Sequence, residues 1–157
     1  MCIVTLAATA IESIATEARD SADGAETGGI LLGHDRDGEL LVTEAGGPGP
    51  AAVRTPNRFL RDLAHARALA DGAYGRDGSV WIGEWHTHPT GPSEPSAVDL
   101  RTYFSHLSDE TLGFKRFLSL ITLPCDEHGW QHVTVAAWVV HDTVAELTTL
   151  RTKGSHG

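Results

Sequence analysis

The chain has 157 residues, of which 41% are hydrophobic and 21% charged, and its net charge is -9. This composition is typical of a globular protein, and the length predicts one domain, residues 1–150, followed by a tail, residues 151–157. No apolar run approaches the roughly 20 residues of a membrane helix, and an acidic chain without a local basic cluster is a poor match for nucleic acid.

The start of the chain predicts a cytoplasmic protein. Residues 1–6 lack a basic segment and Glu12 soon interrupts the apolar stretch, so a secretory signal is not expected. Cys2 and Cys125 are the only cysteines, and two widely separated cysteines in such a protein predict free thiols rather than a bridge.

In chain order, residues 3–6 predict a first strand. A helix follows, with Thr9 and Glu12 as a capping box and an apolar face formed by Ile11, Ile14, Ala15 and Ala18. Residues 27–32 and 39–44 predict two strands of a hairpin, because the residues between them, 34–38, are rich in turn formers.

A second helix is predicted to begin at Thr55 and Pro56, after a connection rich in glycine and proline. It should stop near Gly72. Its buried face would consist of Phe59, Leu60, Leu63, Ala66 and Ala70.

The second half predicts a strand over residues 79–85, a turn at Pro89, and a helix that begins at Ser96. Leu100, Phe104 and Leu107 would form the apolar face of that helix. Residues 117–123, 132–140 and 143–150 predict three further strands. The order indicates an α/β fold with a mixed central sheet flanked by helices.

His86 and His88 follow the third predicted strand and, two residues apart, lie on the same side of it. Asp99 lies in the first turn of the next helix, which a short loop could bring back over the strand end. Two histidines and an aspartate suit zinc and leave a fourth position for water. Two blander interpretations stay open: Ser96 and Asp99 form a capping box, and paired strand histidines are more often surface residues.

The combination of these residues resembles a family signature. Gly83-Glu84-Trp85-His86-Thr87-His88-Pro89 is followed by six residues and then by Ser96-x-x-Asp99, and Glu26-Thr27-Gly28-Gly29-Ile30-Leu31-Leu32-Gly33 lies upstream. This pattern resembles the JAMM signature of the MPN, or JAB-domain, zinc metallopeptidases, and the match spans residues 26–99. The resemblance implies a three-layer fold and one Zn²⁺ per chain, held by His86, His88 and Asp99.

On the same resemblance, Glu26 would take a proton from the attacking water and return one to the leaving amine, as general base and then acid. Ser96 would donate a hydrogen bond to the oxyanion and also cap the helix. Glu84 is a rival base, but its position on the strand of the histidines favours a role in orienting an imidazole. Trp81 and Trp85 are predicted to lie together on the opposite face, in the core.

Residues 124–128, which include Cys125 and His128, weakly resemble half of a nucleoside-deaminase zinc site. The other half is missing, because such a site needs His-x-Glu and position 88 is a histidine. A turn is the preferred interpretation, and a second metal site is the weaker alternative. The remaining histidines have no ligand spacing and are predicted to be surface or core residues.

The resemblance implies cleavage of the bond after the C-terminus of a ubiquitin-like, β-grasp protein. The residues of the motif and the short chain are most similar to those of compact bacterial members, which accompany ubiquitin-like conjugation systems in antiphage operons. A sulfur-carrier β-grasp substrate and a non-catalytic MPN scaffold are the alternatives. Residues 54–61 and 90–95 are candidates for the surface that holds the substrate. The lack of a long apolar run predicts no membrane association, and the oligomeric state stays open.

Overall fold

A computed structural model describes residues 2–126 and 129–153, and the side chains of residues 125–132 lie outside that description. The turn predicted at residues 124–128 is wrong for residues 124–126, which continue a strand that pairs with the segment after residue 128. Residues 127 and 128 lie outside the described residues, as does the side chain of Cys125. The helices are α1 (Ala8–Asp20), α2 (Leu63–Asp77) and α3 (Ala97–Ser108). The strands are β1 (Ile3–Ala7), β2 (Gly28–Arg36), β3 (Glu39–Ala45), β4 (Val53–Thr55), β5 (Arg58–Leu60), β6 (Val80–Thr87), β7 (Phe117–Asp126), β8 (Gly129–His141) and β9 (Val144–Lys153).

Seven of the strands form one mixed sheet, in the order β1-β3-β2-β6-β7-β8-β9. The β6–β7 and β1–β3 pairs are parallel and the β2–β3 hairpin is antiparallel, so the predicted mixed sheet is confirmed. The sheet closes into a barrel, because β1 also pairs in parallel with β9. The resemblance implied three layers with the sheet in the middle, and no sequence pattern indicated that the sheet closes. Strand β9 extends through Lys153, into the segment expected to be a tail.

The main core lies between α1 and the sheet. Ala10, Ile14 and Ala18, four residues apart, are the buried side chains of α1, and the first two pack in one cluster with strand residues such as Leu40 and Trp85. The predicted capping box at Thr9 is wrong. The helix begins at Ala8, directly after β1, and Ala7 at its N-cap makes no side-chain bond, since the connection leaves no residue for one.

The predicted helix start at Thr55 is also wrong. Residues 53–60 form the β4–β5 hairpin, with Pro56 and Asn57 at its turn. The helix begins at Leu63, because Asp62 caps it by accepting a bond of 3.2 Å from the amide of His65. It continues past Gly72 and ends at Asp77, where Gly78 adopts a φ of 76°.

A β-bulge in β6 corrects the prediction for the tryptophans. The pairing of β2 with β6 shifts between Gly83 and Trp81, so that Ile82 is an extra residue. Trp85 therefore packs in the core beneath α1, whereas Trp81 lies on the other face against Phe114 and Phe117. Glu84 and His86 follow the bulge and share the Trp81 side of the sheet.

Helix α3 packs on that same side. Its buried residue Tyr103 packs in one cluster with Phe117 and Val140, and the predicted face of Leu100, Phe104 and Leu107 is partly buried around them. In residues 2–126 and 129–153, none of the helices combines the length and the apolar character required to cross a membrane.

Candidate metal centre

The two histidines lie where β6 ends. His86 is paired with Gly28 of β2 and Ile121 of β7, and its side chain is 1% exposed. His88 follows the strand and donates its amide to the carbonyl of Thr122. Gly28 must lack a side chain, since a Cβ there would lie 2.8 Å from the Cβ of His86. The expectation that both histidines share one side of the sheet is met.

The start of α3 brings Asp99 to the histidines. The Ser96 hydroxyl accepts a bond of 3.0 Å from the Asp99 amide, and the Ser96 amide donates to Asp99 Oδ2 at 2.8 Å, which completes the predicted capping box. The same Oδ2 lies 3.1 Å from His86 Nε2 and 3.2 Å from His88 Nε2. Capping and metal binding are thus compatible uses of one carboxylate.

The three converging atoms have the spacing of a metal site. The two Nε2 atoms are 3.1 Å apart, so all three separations are 3.1–3.2 Å. Zn–N bonds of about 2.0–2.1 Å at tetrahedral angles separate two ligand atoms by about 3.3 Å. Two nitrogens and a carboxylate oxygen at this spacing fit zinc.

The Nδ1 atoms of the two imidazoles, which point away from the convergent Nε2 atoms, differ in their hydrogen-bond partners. His88 Nδ1 lies 2.7 Å from the carbonyl oxygen of Pro92, which can only accept, so Nδ1 carries the proton and Nε2 offers its lone pair inward. His86 Nδ1 is buried and has no hydrogen-bond partner in the described part of the chain. Glu84 was expected to orient an imidazole, but no contact among the described residues joins it to one. Its Oε2 instead accepts a hydrogen bond of 2.6 Å from Arg61 Nη2.

Glu26 completes the group. A ligand atom of Glu26 lies within 4.8 Å of those of His86 and His88, although Glu26 is 60 residues away in sequence. The side chain is 5% exposed, and its Oε1 has no hydrogen-bond partner among the described residues. A buried carboxylate oxygen without a partner is costly, which indicates that something else in the site, such as a water molecule, interacts with it.

The charges of these groups depend on one another. Burial raises the pKa of Glu26, against the opposing effect of the two histidines. Burial alone would raise the pKa of Asp99 too, but its bonds with His86 and His88 hold it well below its ordinary value. Burial would lower the pKa of His86, and the bond with Asp99 reverses this and raises it. Of these three groups, Glu26 is therefore the one whose pKa is raised although its Oε1 has no hydrogen-bond partner among the described residues.

The comparisons with known proteins identify the family of the chain. The family model of prokaryotic homologues of the JAB domain matches residues 7–148. The chain belongs to this family.

Three relatives of the JAB-family chain show what it resembles. The CD-NTase/cGAS isopeptidase of Vibrio cholerae serotype O1 is 32% identical over 90 residues, which cover 55% of this chain and 58% of that protein. A protein of the same name from Escherichia coli is 31% identical over 80 residues, covering 50% and 51%. The probable metalloprotease y4qB of Sinorhizobium fredii is 38% identical over 80 residues, covering 48% and 49%. The chain spans about half the length of these relatives.

A solved structure shares the fold of the JAB-family chain. The solution structure of protein DSY2949 from Desulfitobacterium hafniense matches with a TM-score of 0.70 and 22% identity, covering 96% of this chain and 92% of that one. A likeness at this level of identity concerns the fold alone.

Two cavities flank the candidate metal ligands of the JAB domain. The first, of about 150 Å³, is lined by Glu26, Ser96, His88 and residues of the segments 56–57 and 89–92. The second, of about 160 Å³, lies between β5 and the first turns of α3 and includes Asp99 and Glu84. Residues 56–61 and 90–92, from the two segments expected to hold the substrate, thus do lie beside the site.

Arg54 was expected on that surface and has a different position. Its guanidinium donates to the carbonyl oxygens of Glu26 at 3.1 Å and Ser21 at 3.0 Å, and to both carboxylate oxygens of Asp23. The Glu26 amide in turn donates to the carbonyl of Thr55 at 2.8 Å. The hairpin β4–β5 therefore holds the backbone of Glu26, which no sequence signal around residue 54 indicated.

Arg61 and His106 were also missed as a pair. Arg61 Nη2 lies 3.0 Å from His106 Nε2 as well as bonding Glu84, and its guanidinium lies over the ring of Trp81. Burial and the charge of Arg61 lower the pKa of His106, so the imidazole accepts the bond in its neutral form. These residues come from β6, α3 and the connection between β5 and α2, and only the folded chain brings them together.

Proposed function

We propose that the chain is a zinc-dependent peptidase that cleaves the bond after the C-terminus of a ubiquitin-like protein, as an isopeptidase or a precursor-processing enzyme. The observation that carries the proposal is the buried, unpartnered Glu26 Oε1 beside three convergent ligand atoms. A zinc scaffold without catalysis needs the three ligands but has no use for such a glutamate. The zinc identity rests on the donor set and its spacing.

His86, His88 and Asp99 would hold the zinc ion. When bound by three protein ligands, zinc lowers the pKa of a water molecule to about 7 and polarises a carbonyl group. Pro92 fixes the tautomer of His88, and the cap at Ser96 fixes the carboxylate of Asp99. The protein thus fixes two of the three ligands through its own backbone.

Glu26 and Ser96 would carry the proton transfer and the charge stabilisation. The raised pKa of Glu26 suits a group that accepts a proton from water and then returns one to the leaving amine. Ser96 Oγ already accepts a bond from the Asp99 amide, and its hydroxyl hydrogen donates to no described residue. That hydrogen can therefore stabilise the oxyanion, a contribution of about 2.7–4 kcal/mol for a donor of this kind.

The position of Glu26 also suggests how the substrate lies. The leaving amine must reach Glu26, so it occupies the cavity that Glu26 and Ser96 share. The part of the substrate before the scissile bond then extends through the second cavity, along β5. Among the described strands β5 pairs with β4 alone, which leaves its other edge free. An extended C-terminal tail fits such a groove beside a strand edge.

The names of the relatives support the class of substrate. Two are isopeptidases of CD-NTase/cGAS, and an isopeptidase cleaves an amide bond to a side-chain amine, the bond that joins a ubiquitin-like conjugate to its target. A role in an antiphage conjugation system and a cytoplasmic location stay predictions. So do the two alternatives, a sulfur-carrier β-grasp substrate and a non-catalytic scaffold.

The first test measures metal and turnover together. We expect about one zinc per chain by mass spectrometry of the metal, and cleavage of a fusion between a β-grasp protein and a fluorescent protein. A chelator should abolish cleavage and added zinc should restore it. A zinc-loaded, folded protein that cleaves no β-grasp fusion would favour the scaffold alternative.

The glutamate variants then assign the base. Glu26→Ala should retain zinc and lose at least about 10²-fold in kcat, the lower end of what a general base contributes. Glu12→Ala, on the exposed side of α1, is the control and should change neither quantity. If Glu26→Ala retained full activity while Glu84→Ala lost it, Glu84 would be the base.

A further inference from the structure

Apolar side chains are exposed around the second cavity. Leu60, Leu63, Val98 and Leu112 are 39–48% exposed. The first three line the cavity beside Asp99. Leu63 and Leu112 also line an adjoining cavity of about 210 Å³, whose wall is mostly apolar and includes Ile30 and Trp81. The apolar surface therefore extends from the metal ligands outward over α2.

Two arginines accompany this surface. Arg58 lines the cavity beside Asp99, and Arg67 lines the adjoining cavity of about 210 Å³. Both side chains are exposed. Across residues 2–126 and 129–153, neither forms an ion pair, unlike Arg54, Arg61 and Arg116. The carboxylates that line the two cavities are Glu84 and Asp99, which already interact with Arg61 and with the histidines. This part of the surface is thus locally positive on a chain of net charge -9.

The strand geometry places charge and apolar contact at a fixed interval. Arg58 and Leu60 are two residues apart in β5 and both line the cavity beside Asp99. Residues two apart in an extended partner also share one face. A partner strand beside β5 would therefore meet Arg58 and Leu60 with side chains at positions i and i+2.

We propose that the arginine–leucine patch, formed by Arg58, Leu60, Leu63, Arg67, Val98 and Leu112, binds a substrate segment in which acidic and apolar side chains alternate with that interval. The segment lies immediately before the scissile bond, so the inference rests on the proposed function and adds the chemistry of the tail. A basic tail would be repelled by Arg58 and Arg67 and would leave them desolvated.

Binding of two synthetic peptides tests the patch without any cleavage. The probes are 12-residue fluorescent peptides with leucine at every fourth position and either glutamate or arginine two residues before each leucine, so that charged and apolar side chains alternate along one face. Fluorescence anisotropy is measured with the zinc-loaded Glu26→Ala protein. We expect the glutamate peptide to bind at least about 10-fold more tightly, with an affinity that falls as salt is raised.

Charge reversal locates the effect. Arg58→Glu should remove or invert the preference between the peptides. Arg151→Glu is the matched control, because it changes the net charge equally on β9, which contributes no residue to either cavity. Leu63→Ser should weaken both peptides alike.

Equal binding of the two peptides, preference for the arginine peptide, or an equal effect of Arg151→Glu would overturn the proposal. The outcome is independent of turnover. A protein that prefers the glutamate peptide but cleaves no fusion would support the patch and contradict the proposed peptidase. A protein that cleaves the fusion but binds both peptides equally would support the peptidase and contradict the patch.

Discussion

At the scale of single residues, the site depends on how Glu26 is held. The residue precedes β2 and lies outside the sheet ladder, so its backbone is fixed by contacts from elsewhere. The Thr27 amide donates to Thr87 Oγ1 at 2.9 Å, and Arg54 bonds the Glu26 carbonyl. Thr87 stands between the two histidines, so the end of β6, where both candidate ligands lie, also positions the glutamate.

Arg54 is expected to be a positioning residue for Glu26. Arg54→Ala removes four hydrogen bonds that tie residues 21–26 to the hairpin, so Glu26 should lose its alignment with the ligands. We expect kcat to fall about 10- to 100-fold, with KM and zinc content nearly unchanged, since small displacements of a catalytic group have effects of this size. Steady-state kinetics and metal analysis measure both quantities.

Two further variants separate positioning from general destabilisation. Arg54→Lys keeps the charge but not the planar fork, and should restore only part of kcat. Arg76→Ala breaks an exposed ion pair with Glu44 and should leave kcat unchanged. A change confined to KM, or loss of zinc from Arg54→Ala, would show that Arg54 acts on the substrate or the metal instead.

At the scale of elements, the close approach of β2 and β6 sets the position of His86. Gly28→Ala places a methyl group against the carbonyl oxygen of Trp85 and the Cβ of His86, where the neighbouring atoms are backbone and cannot move cheaply. We expect a loss of about 1–3 kcal/mol in the free energy of unfolding, typical of overpacking. Zinc affinity, measured by competition with a coloured chelator, should fall as well, because His86 moves with its strand.

Gly72→Ala is the matched control. Gly72 lies within α2, and a Cβ there would meet no atom within 4 Å. Alanine favours a helix interior by about 0.5–1 kcal/mol over glycine, so this variant should be more stable and bind zinc as before. If both glycine variants behaved alike, the β2–β6 approach would not be what positions His86.

The elements that the sequence predicted well are those with local signals. The strand, turn and capped helix around His86 and Ser96 follow one another within a few residues, and each has its own breaker or cap. Thr55 and Pro56 gave an equally good local signal for a helix, yet the residues form a hairpin, because Asp62 caps the helix later. The bulge at Ile82 has no sequence signature and reversed the predicted face of Trp81.

At the scale of the whole molecule, the features that escaped prediction join distant parts of the chain. The β1–β9 pair that closes the barrel brings Ile3 beside Thr149, and no pattern in either segment specifies the other. Glu26 was placed by family resemblance and not by spacing, for the same reason. The site is nevertheless one unit, since the charges of Glu26, His86 and Asp99 are coupled through contacts that only the closed fold supplies.

That coupling gives protein stripped of zinc a definite response to pH. The lowered pKa of Asp99 stabilises the fold above its unfolded value of about 3.9, and this contribution is lost as pH falls through the folded pKa. The raised pKa values of Glu26 and His86 act in the opposite sense. Their contributions are complete below unfolded values of about 4.3 and 6.5 and are lost as pH rises through the folded ones.

We therefore expect the melting temperature of the chelator-treated protein to fall as pH rises above about 6.5, chiefly through His86. Excess zinc should remove or reverse this fall, because zinc binds neutral imidazoles and competes with protons more effectively as pH rises. His86→Gln should flatten the pH dependence of the stripped protein, whereas His141→Gln, at a partly exposed position on β8, should preserve it. Calorimetry at several pH values makes the measurement, and a pH response that survives His86→Gln would assign it to the general negative charge of the chain.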